Sequence, residues 1–265
     1  MSVSPLNYAF AVGKVRALER FLIKAEVFEE AMESGLDEAL RLFAEADLYS
    51  DELLHVKDSR QLETVLNQEL LKLKKLVSEL LLDKGLLGLL DISPIECLEK
   101  ILKDFPSEFL QDYLMHLIDM YNIKTFLRLY ILGEPREELQ KKLACGGFIK
   151  KEDFLALYSQ GLPAFLRRLE YVNKHYRIID YAFYLAEAIK KMKQDNSFVA
   201  LEKEINDFLI QMLKPAKYFI FGPEPVLAYY FAKINEINLM RMIILAKMNN
   251  LPVSLVKERL NSVYA

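Results

Sequence analysis

The scarcities in this chain narrow it first. Its 265 residues include no tryptophan, two cysteines, three histidines, nine glycines and nine prolines. Cys97 and Cys145 stand far apart and match no metal or redox spacing, so two ordinary thiols in a reducing compartment are expected. A phosphate-binding loop is missing. The nearest glycine pair, in Cys145-Gly146-Gly147-Phe148, lacks the Lys and Ser/Thr that would hold phosphate and magnesium, so the chain is not expected to hydrolyse ATP itself. Glu52-Leu53-Leu54-His55 has the spacing of half a di-iron bundle site, but neither His116 nor His175 follows a Glu by three residues. No metal or cofactor is expected.

An excess of charge of one sign is also missing. Lys plus Arg number 35 against 38 acidic residues, a net charge of −3. Neutralising phosphates needs a basic surface, so no nucleic-acid partner is expected, and no polybasic membrane patch stands out. Long apolar runs are absent too. Lys14 and Arg16 interrupt the N-terminal stretch, and the most apolar region, Tyr218 to Ala232, is cut by Glu224 and flanked by Lys217 and Lys233. No transmembrane helix is expected, and a role in a membrane complex would place the chain outside the bilayer.

Helical periodicity fills what remains. Gln61 to Leu82 carries Leu62, Val65, Leu66, Leu70, Leu73, Leu76, Val77, Leu80 and Leu81 on one wide face; His175–Lys193 and Val199–Leu213 read the same way. Ser93-Pro94-Ile95-Glu96 has the form of a helix start, with a Ser cap, Pro at the first position and Glu closing a capping box. Pro106, Pro135 and Pro252 each open a helix-forming segment, while Lys214-Pro215 and Gly222-Pro223-Glu224-Pro225 end one helix and start another. The reading is all-α: about ten to twelve helices in one domain spanning residues 1–265.

A weak internal repeat accompanies these helices. Asn122 precedes Arg128 by six residues, and Asn235 precedes Arg241 by six, with apolar residues filling the intervening turns. Val15-Arg16-Ala17-Leu18-Glu19 occupies a comparable first helix. The arginines at 16, 128 and 241 are separated by 112 and 113 residues, which suggests duplication of one helical unit, about 8–120 and 121–235, followed by a closing segment 236–265.

Two clusters of side chains bear on function. Asp112, His116 and Asp119 share a helix face and could form an acid/base or metal cluster, but the favoured reading is a solvated polar stripe opposite Tyr113, Leu114, Leu117 and Ile118. The aromatic residues Tyr176, Tyr181, Phe183, Tyr184, Tyr218, Phe219, Phe221, Tyr229, Tyr230 and Phe231 are expected mainly in core and helix contacts, with any exposed subset marking a partner surface.

Three stretches resemble one family. Tyr8-Ala9-Phe10-Ala11-Val12-Gly13-Lys14-Val15-Arg16-Ala17-Leu18-Glu19 resembles the opening helix of the V/A-type ATPase C subunits, the family that includes the d subunit of the eukaryotic V-ATPase. Ile118-Asp119-Met120-Tyr121-Asn122-Ile123-Lys124-Thr125-Phe126-Leu127-Arg128, with Gly133 and Gly146-Gly147-Phe148 after it, is similar to an internal motif of that family. Gly222-Pro223-Glu224-Pro225 through Asn235-Glu236-Ile237, Arg241 and Leu251-Pro252 is similar to its closing motif. The resemblance implies a non-catalytic, funnel-like helical connector on the cytoplasmic side of the membrane. Its partners would be the central-stalk subunits and the rotor ring of an ATPase or ATP synthase that moves H⁺ or Na⁺.

The family motif places Arg16, Asn122, Arg128, Asn235, Glu236 and Arg241 at positions that tie helices together or meet a partner. The family is usually built from three related units; the two arginine intervals here and a chain short for the family imply a shortened member, with one unit either lost or diverged past recognition. A helical-repeat adaptor with no rotary role is the competing reading, and an all-α enzyme using the Asp112/His116/Asp119 face is a further one.

Overall fold

Helix ends are where the sequence speaks most directly, because the first N–H groups of a helix need an outside acceptor. In the computed structural model, which describes residues 4–46, 51–91, 107–174 and 177–265, the Asp58 side chain accepts the Gln61 N–H at 2.8 Å and starts α4 (Ser59–Leu80). Gln61 Oε1 accepts the Lys57 N–H at 2.8 Å, closing the turn from the other side. Leu62, Val65, Leu66, Leu73, Val77 and Leu80 of α4 are buried.

The other helices are α1 (Ala9–Glu19), α2 (Ala25–Glu33), α3 (Leu36–Glu45), α5 (Glu108–Ile131), α6 (Arg136–Lys142), α7 (Lys151–Gln160), α8 (Leu162–Leu169), α9 (Tyr181–Asp195), α10 (Val199–Leu213), α11 (Glu224–Met248) and α12 (Val253–Lys257). The architecture is all-α. Pro135 and Pro252 sit at the N-caps of α6 and α12, and Pro223 at that of α11, as the breaks in the sequence predict. The predicted start at Ser93–Glu96, Cys97, the Pro106 opening, His175 and Tyr176 lie outside the described residues; Ser107 caps α5.

One stretch departs from the helical reading. Val172–Lys174 (β1) and Arg177–Ile179 (β2) pair antiparallel, and α9 begins only at Tyr181, where Asp180 accepts the Phe183 N–H at 2.8 Å. Val172, Ile178 and Ile179 are β-branched and favour extended backbone.

By its internal contacts the chain forms two compact units. One comprises Met1–Lys84 with Ile210–Ala265, the other Gly85–Leu209. These boundaries differ from the divisions near 120 and 235 that the arginine spacing suggests. Packing joins the first and last parts of the chain.

In the first unit α11 runs through the core, packed against α1, α2, α3 and α4. Ile237, Leu239, Met240, Ile243 and Ile244 meet Phe28, Phe43, Leu62 and Leu66 there. Each such side chain contributes about 2 kcal/mol by leaving water. The second unit is built on α5, which packs against α6 and α7. Its centre is aromatic: Phe126 stacks on Phe165 with ring centroids 3.8 Å apart and meets Tyr158 edge-on at 5.2 Å.

Candidate functional site

In the second unit the chemistry gathers where α5 meets the segment that returns after α6. Asn122 is fully buried and uses both ends of its amide: Nδ2 donates to Ala144 O at 2.9 Å, and Oδ1 accepts the Ala144 N–H at 2.9 Å. One turn earlier the Asp119 carboxylate accepts the Phe148 N–H at 3.1 Å and the Ile149 N–H at 3.2 Å. It also accepts the Tyr181 hydroxyl at 2.9 Å. With Asp119 ionised that hydroxyl gives its one hydrogen to the carboxylate, and His116 Nδ1 is then the donor to the Tyr181 oxygen across 2.7 Å.

Burial pushes the Asp119 carboxyl up to about 7, against the pull of Tyr181, the two amides and Arg168. Burial, followed by the neighbouring Asp119 charge, raises Tyr181. A Cβ on Gly147 would lie 2.1 Å from Asp119 Oδ1, so the carboxylate occupies space that any other residue there would fill.

These positions correct the expectation of a solvated stripe. His116 and Asp119 are buried, as are Tyr113, Leu114 and Ile118 around the same helix. Aromatic rings of Phe148, Tyr181 and Phe208 surround the His116 imidazole. Arg128 lies farther along α5, half exposed, 3.3 Å from Glu202 and over the Phe198 ring.

In the first unit the Arg16 guanidinium donates to three carbonyls, Ala216 (2.9 Å), Lys217 (2.9 Å) and Phe219 (3.0 Å), and to Glu19 at 2.6 Å. One planar, always-charged group thereby fixes the Lys214–Tyr218 turn against α1. Asn235 Nδ2 donates to Ser262 O at 3.1 Å, and its Oδ1 accepts from Asn261 Nδ2 at 2.8 Å. Glu236 is buried, accepts the Ile23 N–H at 2.8 Å and is ion-paired with buried Lys233.

Arg241 reaches Glu63 of α4 through Nε, at 3.0 and 3.2 Å, and Asn238 at 2.7 Å. Arg16, Asn235 and Glu236 share one neighbourhood near the C-terminal Tyr264, whose hydroxyl contacts Glu19; Arg241 lies farther along α11. Asn122 and Arg128 belong to the other unit.

Sequence reasoning picked the asparagines and arginines but missed their partners Glu63, Glu202, Asn261 and Ala144, and gave Asp119 the wrong environment. Two signals pointed to Asp119: its position one turn before Asn122, and the Gly146-Gly147 pair downstream.

A half-open cavity of about 250 Å³ lies between α1, α4 and α11, lined by Leu18, Leu73, Leu76, Tyr229 and Ile237 with Glu69, Lys72 and Lys233 at its edge. Lys72 pairs with Glu69 at 2.7 Å. Among the described residues no group of three or more His, Cys, Asp or Glu side chains could hold a metal ion, and no helix is long and apolar enough to cross a membrane. The aromatic residues divide: Tyr181, Tyr229 and Tyr230 are buried, whereas Phe183, Tyr184, Tyr218 and Phe221 are exposed.

Comparison with known proteins places this arrangement. Two relatives are similar to the chain. The C subunit of the V-type sodium ATPase of Enterococcus hirae is 27% identical over 155 residues, 58% of this chain and 44% of that protein. The C subunit of the A-type ATP synthase of Methanococcoides burtonii is 29% identical over 160 residues, 59% of this chain and 38% of that protein. The chain thus spans less than half the length of either curated relative. The profile of the ATP synthase (C/AC39) subunit family matches residues 79–259, a stretch that includes Asp119, Asn122, Gly147, Asn235, Glu236 and Arg241, and the chain belongs to that family.

Proposed function

We propose that this protein is a non-catalytic connector of a V/A-type rotary ATPase or ATP synthase, seated on the cytoplasmic side of the membrane and coupling the central stalk to the rotor ring. The observation that carries the reading is the family match together with the way the motif residues are used. The glycine pair nearest to a phosphate loop is filled by the Asp119 carboxylate. The motif asparagines and Glu236 hold backbone, and the motif arginines hold carbonyls or glutamates.

A connector that passes torque must not yield, and close-packed helices tied across long sequence separations transmit strain instead of absorbing it. As part of the same reading, the Arg128- and Arg241-bearing helices descend from one duplicated unit.

Deletion of the protein tests the proposal. In membrane vesicles the expected result is continued ATP hydrolysis by the catalytic head with loss of ATP-driven H⁺ or Na⁺ uptake. Full coupling in the deletion, or copurification with no component of a rotary ATPase, would overturn it.

A further inference from the structure

Helix α1 is apolar on two sides. Its inner face, with Ala11, Val12 and Val15, is buried in the first unit along with Tyr8 just before it. Its outer face carries Phe10, Gly13 and Ala17, which at intervals of three and four fall on one stripe, with Leu6 in the 3-10 turn just before the helix and Phe21 in the turn just after it. Leu6 is 64% exposed, Phe10 78% and Phe21 43%, and nothing lies within 4 Å of the place a Cβ would take on Gly13. A helix apolar all round belongs in an interior. Here one side faces water.

The relief and the charge of this stripe say what fits it. Bulky Phe10 and Phe21 bracket a low saddle at Gly13 and Ala17, one turn apart, where a crossing helix can bring its backbone close. The exposed charges at the stripe's edges, Lys14 and Arg20, are both basic; Lys217, on the loop that Arg16 clamps, turns its ammonium to the Tyr264 carbonyl and ring. The acidic side chain of α1, Glu19, is turned to Arg16.

A second copy would set Lys14 and Arg20 against their own kind, and like charges brought together across an interface oppose it. An anionic bilayer would select large apolar groups at the centre of the stripe, where glycine and alanine stand. We infer that the outer face of α1 docks an amphipathic helix of another protein, with acidic residues flanking that helix's apolar stripe. On the reading under Proposed function, on which this inference rests for the partner's identity, that protein is another component of the rotary ATPase.

The test places a photocrosslinker at the stripe, Phe10→p-benzoylphenylalanine, in membranes containing the assembled ATPase. The crosslinked peptide is then identified by mass spectrometry. The expected product joins Phe10 to a helix of another ATPase component within one turn of Asp or Glu. Gly13→Leu, which fills open space and leaves the unfolding midpoint of the isolated chain unchanged, abolishes the crosslink. The pair Lys14→Glu/Arg20→Glu lowers its yield roughly tenfold, as reversal of two rim charges should.

Crosslinks to this same chain, to a second copy or to lipid would overturn the inference, as would the absence of any crosslink or indifference to both variants. A chain that still copurifies with the ATPase while Phe10 crosslinks nothing defeats the docking face alone. A chain that copurifies with no part of the ATPase defeats the proposed function, whatever the crosslink shows about the face.

Discussion

Replacement of Asp119 by Asn should change the pH dependence of the second unit in a calculable direction. Asp119 is fully buried, and burial raises its carboxyl from an ordinary 3.8 to about 7 in the folded protein. Between those values the folded chain holds a proton that the unfolded chain has released. Stability from this group is therefore fully present below about pH 4 and lost as pH rises through about 7. A shift of about three units is worth up to about 4 kcal/mol. Asparagine is neutral at every pH; its one oxygen keeps the Ile149 amide, while the Phe148 amide, which shares Oδ2 with the Tyr181 hydroxyl, loses its acceptor, a cost that does not vary with pH. Its amide can donate to the Tyr181 oxygen, with that hydroxyl turning toward His116.

Urea unfolding of wild type and Asp119→Asn at pH 5, 6, 7 and 8, with amide exchange of Phe148 and Ile149 as the local probe, gives the difference between them. Wild type should lose ground to the variant by about 1 kcal/mol per unit from pH 5 to 7 and level off by pH 8. A flat difference, or one in which wild type gains with pH, would refute the claim that desolvation outweighs the three donors.

Further outcomes follow from the same contacts. Gly147→Ala puts a methyl 2.1 Å from Asp119 Oδ1 and should cost about 3 kcal/mol by expelling a carboxylate that holds two buried amides; an unchanged melting temperature would contradict this. Arg16→Ala frees three carbonyls and should loosen the 214–219 turn by about 2 kcal/mol, seen as roughly thirtyfold faster trypsin cleavage after Lys217. Glu236→Gln takes the charged partner from buried Lys233 and should cost about 3 kcal/mol in urea unfolding, of which Lys233→Met in the same chain restores at least half. Arg241→Ala, which breaks the contacts to Glu63 and Asn238, should cost about 1 kcal/mol, whereas Arg128→Ala at its half-exposed pair should cost a few tenths; equal costs would deny the difference in burial.

How much of this was legible depended on how local the cause is. Val199–Leu213 was read from periodicity with its observed bounds, and α4 to within two residues, because an amphipathic helix writes its pattern into consecutive turns. Pro135, Pro223 and Pro252 marked real helix starts, since the ring acts on its own backbone. The environment of His116 and Asp119 was not legible. Polar residues on one face read as solvated only when the opposite face alone is buried, and α5 is buried on both. The donors that make this burial tolerable, the amides at 148 and 149 and the Tyr181 hydroxyl, lie 29 to 62 residues downstream. The hairpin at 172–179 was missed because strands of three residues are too short to show alternation.

The two long helices bear on the proposed duplication more strongly than arginine spacing does. In each, a mid-helix asparagine uses both ends of its amide to hold a later segment, Asn122 at Ala144 and Asn235 at Asn261–Ser262. The arginine six residues on reaches a glutamate of another helix, Glu202 in one case and Glu63 in the other. Both helices then stop alike. A residue with positive φ, Gly133 or Asn250, donates its N–H three residues back, and the next N–H, of Glu134 or Leu251, reaches five residues back. A proline, Pro135 or Pro252, begins the following helix. The stop falls 11 residues after Asn122 but 15 after Asn235. The difference of four residues is close to one helical turn, which leaves the face of the helix nearly unrotated. A change of three or four residues can be accepted by a packed helix with its side chains kept to one face, whereas a change of two would turn the asparagine away from the segment it holds. Two helices that keep the same asparagine anchor and the same kind of stop are what the proposed duplication expects.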